Sequence, residues 1–331
     1  MNQLDIFGQL YQPFKFTKKV RLIELFAGVG SQAMALRDLG IPFEHHRVVE
    51  FDKYAIKSYN AIHGTDFPTS DIRDIHASDL DMSNHNYQYI MTYSFPCQDL
   101  SKAGKQKGMG KGSGTRSGLL WEVERIIGEC YRDKCLPDVL LMENVPDVIG
   151  TKNIKDFMQW QAALEACGYQ NYIKVINAKD QGIPQNRERC FMVSILGDYS
   201  YSFPKSVPLK LRLKDMLEIN VDKKYNVPAS KIAFMKETSF ITSQYRYMVQ
   251  NKDGVCDTLC ARDYKDPKCI EVGKGVAQTL TTSCNQAVIE PSGIYTQVSD
   301  AFQSGPLKGL SRTLKAVKHD AGMTNGVMYA S

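Results

Sequence analysis

From Val20 to about Leu196, short runs of β-branched and aromatic residues alternate with longer stretches that carry a helical spacing of apolar positions. RLIELF (21–26), HRVVEF (46–51), YQYIMTYSF (87–95), VLLMENV (139–145) and CFMVSIL (190–196) read as strands. Between them, SQAMALRDLG (31–40), KYAIKSYNAIHG (53–64), GLLWEVERIIGECYRDK (118–134) and KDFMQWQAALEACGY (155–169) read as helices. Strands separated by crossover helices predict an α/β fold, a doubly wound and mostly parallel sheet covered on both faces. Beyond Gly197 the texture changes. Pro204, Pro208, Pro228, Pro267 and Pro291 punctuate short stretches with no sustained helical period. A boundary near residue 200 divides the chain into a larger α/β domain (1–200) and a smaller β-rich region (201–331).

The second region carries a short recurring pattern. Gly254–Leu259, Gly275–Leu280 and Gly309–Leu314 share G-[VL]-x-x-T-L and start 21 and then 34 residues apart. Each copy is followed by a polar turn and another apolar run, which predicts β-hairpins on one plan, with coincidence among β-rich sequences as the competing reading.

Composition sets outer limits. The 331 residues are 43% hydrophobic and 23% charged, and 41 Lys and Arg against 36 Asp and Glu leave a net charge of +5. That excess permits an anionic partner without demonstrating one. Mean hydropathy is −0.32, and no apolar run approaches the roughly 20 residues that span a bilayer, so a helical membrane protein is excluded. The opening MNQLDIFGQLYQPFKF lacks a basic stretch followed by an apolar core, so it does not read as a secretory signal. Nine cysteines without paired spacing read as reduced thiols, and we expect a cytoplasmic protein.

Leu22–Gly30 (LIELFAGVG) is a strand running into a glycine turn and a helix. Glycine lets backbone approach a ligand closely, and the amides of the following helix attract polar groups. A dinucleotide fingerprint would place a third glycine where Ala33 stands. Glu50, at the end of the second strand, is placed to accept hydrogen bonds from ribose hydroxyls, and Asp71 is a candidate partner for an adenine amino group. Taken singly, either reads equally as a solvated carboxylate. Together they describe a nucleoside pocket without a pyrophosphate cradle, which points to S-adenosylmethionine more than to NAD.

Tyr93–Gln98 (YSFPCQ) puts Cys97 at the carboxyl edge of the sheet, where open α/β sheets bind ligands. A thiolate is the softest nucleophile among the side chains, although most lone cysteines are inert core residues. Leu140–Pro146 (LLMENVP) places Glu143 at the end of another strand, where a carboxyl held near a ring nitrogen could donate or stabilise a proton. Arg187 and Arg189 lie on one side of an extended segment and can fix a carbonyl oxygen or a phosphate by forked hydrogen bonds. A surface arginine pair is the plainer reading of those two.

FAGVG (26–30), FPCQ (95–98), RSGLLWE (116–122), ENV (143–145) and QNRER (185–189) occur in one order. In order and spacing they resemble the DNA (cytosine-5)-methyltransferases of restriction–modification systems and phages, over roughly residues 20–196. The resemblance implies a Rossmann-like S-adenosylmethionine-dependent catalytic domain with a target-recognition region after residue 200. It implies that Cys97 attacks C6 of a cytosine flipped from double-stranded DNA. Glu143 would contact N3 and the exocyclic amine, and Asn144 would hold the Pro96–Cys97 loop. Arg189 would bind the cytosine O2, with Arg187 near the nucleophile or the DNA backbone. C5 would then take the methyl group, and loss of its proton and of Cys97 would regenerate the enzyme. Phe26, Gly28, Gly30, Glu50, Asp71 and Pro96 would line the cofactor pocket. The Gly- and Lys-rich stretch 102–116 resembles the family's loop that closes over DNA.

The family's chain returns to the catalytic domain through an arginine-bearing helical segment and a final G-N-[AS]-[VI] motif. Asn285–Val288 matches that motif only superficially, and another repeat follows it. From this we expect a chain truncated before the return, split between two genes, or completed by a partner polypeptide. A tRNA cytosine methyltransferase and an inactive DNA-binding remnant are the alternative functions. Intact Cys97, Glu143, Arg187 and Arg189 argue against decay, and a monomer suffices for the mechanism. Cys256, Cys260, Cys269 and Cys284 match no standard zinc spacing, and no metal is expected. Lys205, Lys210, Arg212, Lys214, Lys223 and Lys224 suit phosphate contacts, while Tyr245–Tyr247 and Arg262–Lys265 suit base or stacking contacts.

Overall fold

The computed structural model describes residues 11–100, 107–217, 226–227, 249–259, 268–273, 276–280, 314–316 and 328–330. Among the described residues up to position 200 there are nine strands: β1 (Gln12–Pro13), β2 (Lys19–Leu25), β3 (Phe43–Val49), β4 (Tyr87–Tyr93), β5 (Val139–Asn144), β6 (Tyr169–Asn177), β7 (Gln185–Asn186), β8 (Glu188–Leu196) and β9 (Tyr199–Ser200). The helices are α1 (Ser31–Asp38), α2 (Lys53–His63), the single turn α3 (Ala77–Leu80), α4 (Leu120–Arg132) and α5 (Ile154–Ala166).

Six strands form the central sheet in the order β3-β2-β4-β5-β8-β6. β3, β2, β4 and β5 pair in parallel, whereas β8 runs antiparallel to both β5 and β6. The sheet is therefore mostly parallel, as expected, with one reversed strand. Side chains alternate between faces with period two. Ile23 and Leu25 of β2, Met91 and Tyr93 of β4, Leu140 and Met142 of β5 and Cys190 and Met192 of β8 pack against α4 and α5. Val20, Leu22 and Ile90 point the other way, toward Ala33 and Leu36 of α1. Helices thus cover both faces. On the α5 side the Trp160 indole donates to Tyr93 Oη at 3.1 Å, deep in the core.

Local sequence explains the helix ends that shape the site. Asp52 caps α2 by accepting from the amides of Tyr54 and Ala55 at 2.8 and 3.3 Å, and Gly64 ends that helix with φ of 64°. α1 has no side-chain cap; it begins directly from Gly30, whose φ is 80°.

Two features of the strands differ from the sequence reading. β6 falls in YQNYIKVIN, which carried no strand expectation; its outward polar and charged residues hide the pattern at the sheet edge. β3 ends at Val49, so Glu50 and Phe51 stand beyond the sheet and not within a strand.

After Ser200, two described stretches come together beside β7. β12 (Cys256–Asp257) pairs in parallel with β7, and Leu213 and Lys214 donate their amides to the carbonyls of Gly254 and Lys252. Further strands are β10 (Asn226–Val227), β11 (Val249–Gln250), β13 (Lys268–Gly273), β14 (Val276–Leu280), β15 (Leu314–Ala316) and β16 (Met328–Ala330). The second copy of the recurring pattern is the returning strand of the β13–β14 hairpin. Cys256–Asp257 of the first copy pairs in parallel with β7; residues 260–267 that follow it, and residues 309–313 of the third copy, lie outside the described residues. No described helix is long and apolar enough to cross a membrane.

Candidate active site

In this strand order the chain steps from β2 outward to β3 and then back past β2 to β4. The crevice outside the carboxyl ends of β2 and β4 is the topological switch point, where doubly wound sheets bind ligands. β5 ends at the same edge, and the reversed β8 begins there. Every candidate residue from these four strands therefore converges on one rim.

After β2 the chain turns through Phe26 (φ 57°), Gly28 (φ 59°) and Gly30 (φ 80°). A Cβ on Gly28 would meet nothing within 4 Å, so its backbone faces open space. A Cβ on Gly30 would lie 2.3 Å from His63 Nε2 and 2.6 Å from a Tyr59 ring carbon. Gly30 is thus required by packing as well as by backbone conformation. Beneath the turn sits a buried polar chain. Tyr59 donates its hydroxyl to Glu24 at 2.6 Å and lies 2.7 Å from His45 Nδ1; His63 Nε2 lies 3.1 Å from the Val29 carbonyl. Glu24 is fully buried, and burial pushes its carboxyl up to about 7. Burial holds His63 down to about 3, with His45 and Arg37 adding to the effect.

Glu50 is fixed from both oxygens. Oε2 accepts from the Gly28 amide at 2.8 Å and Oε1 from the Asp52 amide at 2.7 Å. Each oxygen keeps a further lone pair for a hydroxyl donor. Burial raises the Glu50 carboxyl while those amides oppose the shift. The next residue, Phe51, is 73% exposed. An aromatic ring held open beside the acidic residue suits stacking on a purine. Sequence reasoning assigned Phe51 to the strand; its place directly before the Asp52 cap was the signal that it lies past the strand end. Asp71 is turned toward Arg73, accepting its amide at 3.0 Å and pairing with its guanidinium, which holds the carboxyl below its usual range. The open glycine backbone, the anchored Glu50 and the exposed Phe51 together fit a nucleoside such as that of S-adenosylmethionine.

Across the switch point, the loop after β4 carries half-buried Cys97. Its neighbours are tied down one by one. Asn144, 2% exposed, donates Nδ2 to the Phe95 carbonyl at 3.0 Å and accepts the Val145 amide at 2.8 Å. Ser117 donates Oγ to the Pro96 carbonyl at 2.7 Å. Gln98 pairs with the Arg116 guanidinium, and Asp99 accepts the Arg116 amide at 2.9 Å. The roles of Ser117, Arg116 and Asp99 were missed in the sequence, although RSGLLWE was noticed as a motif. Residues 102–106 of the Gly- and Lys-rich stretch lie outside the described residues. Its later part folds back onto α4, where the Trp121 indole donates to the carbonyl of buried Met109 at 2.6 Å.

Glu143 and Arg189 come from adjacent strands, and Arg189 Nε lies 2.8 Å from Glu143 Oε1 with both side chains nearly buried. A second tie holds Arg189, which donates to the Glu188 carbonyl at 2.7 Å. Arg187 is buried between β7 and β8, and its amide donates to Asn177 Oδ1 at 3.1 Å. The rim therefore presents a thiol, a carboxylate–guanidinium pair and an anchored acidic residue beside open glycine backbone. Among the described residues no group of three metal-ligating side chains gathers. Cys256 is buried, with Sγ 3.1 Å from the Asp257 carbonyl. Cys260, Cys284 and the Cys269 side chain lie outside the described residues. Lys214 pairs with Asp253 at 2.8 Å; Lys223, Lys224, Tyr245–Tyr247 and Arg262–Lys265 also lie outside the described residues.

The family described as C-5 cytosine-specific DNA methylase matches residues 20–316. The type II methyltransferase M2.ScrFI of Lactococcus lactis subsp. cremoris is 34% identical over 263 residues, covering 65% of this chain and 72% of that protein. The orphan methyltransferase M.SssI of Spiroplasma monobiae is 46% identical over 154 residues, 46% of this chain and 38% of that protein. The type II methyltransferase M.HhaI of Haemophilus parahaemolyticus is 34% identical over 201 residues, 60% of this chain and 57% of that protein. This chain thus spans from about two fifths to under three quarters of the length of these three relatives. The S. pombe Dnmt2 methyltransferase structure shares the fold, with a TM-score of 0.56 and 21% identity over 74% of this chain and 72% of that one. With the match reaching from β2 through β15, this chain belongs to the C-5 cytosine-specific DNA methylase family, whose members use S-adenosylmethionine.

Proposed function

We propose that this chain transfers a methyl group from S-adenosylmethionine to C5 of a cytosine flipped out of double-stranded DNA, through a covalent bond from Cys97 to C6. One observation carries the reading: the switch-point rim gathers Cys97, the Glu143–Arg189 pair and the Glu50-anchored glycine turn from four neighbouring strands. When bound, S-adenosylmethionine supplies an electrophilic methyl group. Phe26, Gly28, Gly30, Glu50 and Phe51 would hold it at the turn, with Asp71 and Pro96 at the pocket's margins.

The chain's own groups divide the remaining work. The Cys97 thiolate forms a bond to C6, which pushes electron density toward N3 and C5. Glu143 contacts N3 and the exocyclic amine and offsets the charge that attack pushes into the ring, and Arg189 holds the O2 edge and keeps Glu143 oriented. Asn144 and Ser117 keep the nucleophile loop fixed through Phe95 and Pro96, so that little reorganisation is needed at attack. Once C5 carries the methyl group, its proton passes to a base and the C6–Sγ bond breaks. Arg187 stiffens the start of β8 beneath this edge. Residues 201–331 would read the target sequence, and the protein would act as a cytoplasmic monomer. The match to the family of C-5 cytosine-specific DNA methylases favours DNA over RNA as the substrate.

The test is transfer of labelled methyl groups to duplex DNA and to tRNA, followed by nucleoside digestion. The proposal expects 5-methylcytosine in DNA alone and its loss in Cys97→Ser. Label on tRNA alone, or an active Cys97→Ser, would overturn it.

A further inference from the structure

The two loops that flank the switch point, Phe26–Gly30 after β2 and Ser94–Cys97 after β4, are joined by one side-chain link. Gln32, in the first turn of α1, donates Nε2 to Ser94 Oγ at 3.2 Å. Ser31 donates its own hydroxyl to Gln32 Oε1 at 3.0 Å. That second bond decides which end of the amide faces Ser94, since an amide oxygen accepts and its nitrogen donates. The three residues therefore form a directed chain from the glycine turn to the nucleophile loop.

The other holds on that loop come from elsewhere. Asn144 on β5 takes the Phe95 carbonyl, Ser117 before α4 takes the Pro96 carbonyl, and the Arg116 amide takes Asp99. All of them fix the loop from the β5 and α4 side. Among the described residues, Gln32 supplies its side-chain hydrogen bond from the cofactor side. Methyl transfer needs the base bound to Cys97 and the donor at the glycine turn held at a matched distance, and small misplacements at such a site slow reaction strongly.

We propose that Gln32 is a positioning residue, which sets the Cys97 loop relative to the cofactor turn through its hydrogen bond to Ser94. The inference rests on Cys97 being the nucleophile. Gln32 acts on the reaction only through Ser94, so removing either partner removes the same constraint. A neutral, half-buried hydrogen bond of this kind is worth roughly threefold to tenfold in a rate that depends on it.

The experiment is a double-mutant cycle of Gln32→Ala, Ser94→Ala and the pair, with Ser94→Thr as the variant that keeps the hydroxyl. Two quantities are read on the full chain: kcat for methyl transfer, and the rate of iodoacetamide alkylation of Cys97, followed on its own peptide by mass spectrometry. The expected result is a kcat loss of roughly threefold to tenfold in each single variant, with KM for DNA within about twofold. The double variant should be no slower than the slower single one, because one interaction can be lost only once. The Cys97 alkylation rate should shift by a common factor in all three, and Ser94→Thr should stay near the parent. Additive losses, or a Ser94→Ala variant with parental kcat and parental alkylation, would overturn the assignment. Alkylation needs no methyl transfer, so a chain that fails to methylate cytosine would refute the proposed function while this link is still tested.

Discussion

The Glu143 carboxylate stands 2.8 Å from Nε of Arg189, and the two residues sit on neighbouring antiparallel strands at the edge where Cys97 emerges. Reversal of β8 makes this pair. A parallel strand in that position would bring its far end to the rim and carry the arginines away. Because both side chains are nearly buried, the pair is held in a low-dielectric setting where its orientation matters more than its net stability.

Glu143→Gln keeps the side-chain shape but removes both the ion pair and the carboxyl group that would stabilise a proton at N3. Proton transfer by a positioned side chain contributes roughly a hundredfold or more. We expect kcat to fall by about that factor, with a lowered thermal midpoint because Arg189 is left nearly buried without its charge partner. Steady-state kinetics beside a melting curve check this, and an undiminished kcat would count against the role of Glu143.

The two glycines of the turn should differ. Gly30→Ala would drive a Cβ to within 2.3 Å of His63 and 2.6 Å of Tyr59 at a φ of 80°. Overpacking plus left-handed strain predicts a loss of about 2–4 kcal/mol. Gly28→Ala meets open space and suffers only its backbone conformation, about 1–2 kcal/mol. Urea unfolding of both variants measures the order, which the structure requires to be Gly30 the more costly.

Asn144→Ala should weaken the fold as well as the chemistry. It strips partners from the buried Phe95 carbonyl and from the Val145 amide. Leaving such groups unpaired costs about 1–3 kcal/mol each at most. A drop in unfolding free energy in that range, together with faster alkylation of Cys97, is the expected outcome. Parental stability would mean that water or a neighbour replaces both bonds.

The buried chain under the glycine turn makes a pH prediction with a definite sign. The Glu24 carboxyl is pushed up to about 7 by burial. From about pH 4.5 to 7 the folded state keeps a proton that the unfolded chain has released, so this group's contribution to stability falls as pH rises. His63, held down to about 3, acts the opposite way: between about pH 3 and 6.5 only the unfolded chain is protonated, and stability rises with pH. The two contributions offset each other between about pH 4.5 and 6.5. Glu24→Gln should therefore make unfolding free energy climb more steeply with pH there, by close to one proton. An unchanged slope in denaturant titrations at several pH values would show that Glu24 is ionised throughout.

Much of this was legible in the sequence because parallel strands buried on both faces read as continuous apolar runs. RLIEL, YIMTY and VLLM are such runs, and the chemistry-bearing residues follow directly at their ends. The apolar runs alone therefore place the glycine turn and the Cys97 loop at one sheet edge. β6 was not legible, since an edge strand with polar and charged outward positions lacks that signal. The direction of β8 was not legible either, because antiparallel pairing leaves no mark in a single strand's composition. The ties that hold the Cys97 loop, from Gln32, Ser117 and Arg116, link residues about twenty to sixty positions apart. No periodicity records such contacts. Phe51 was hidden for a simpler reason: an aromatic residue at a strand end looks like core until the strand's last paired residue is known.

The central claim is the covalent role of Cys97, and trapping on DNA tests it most directly. The full chain is incubated with S-adenosylmethionine and mixed-sequence duplex DNA containing 5-fluorocytosine, then denatured and resolved by size. Fluorine at C5 cannot leave as a proton does, so the account predicts a denaturation-resistant adduct that maps to the Cys97 peptide and vanishes in Cys97→Ala. Methylation of ordinary duplex DNA with no such adduct, or an adduct that persists in Cys97→Ala, would contradict it.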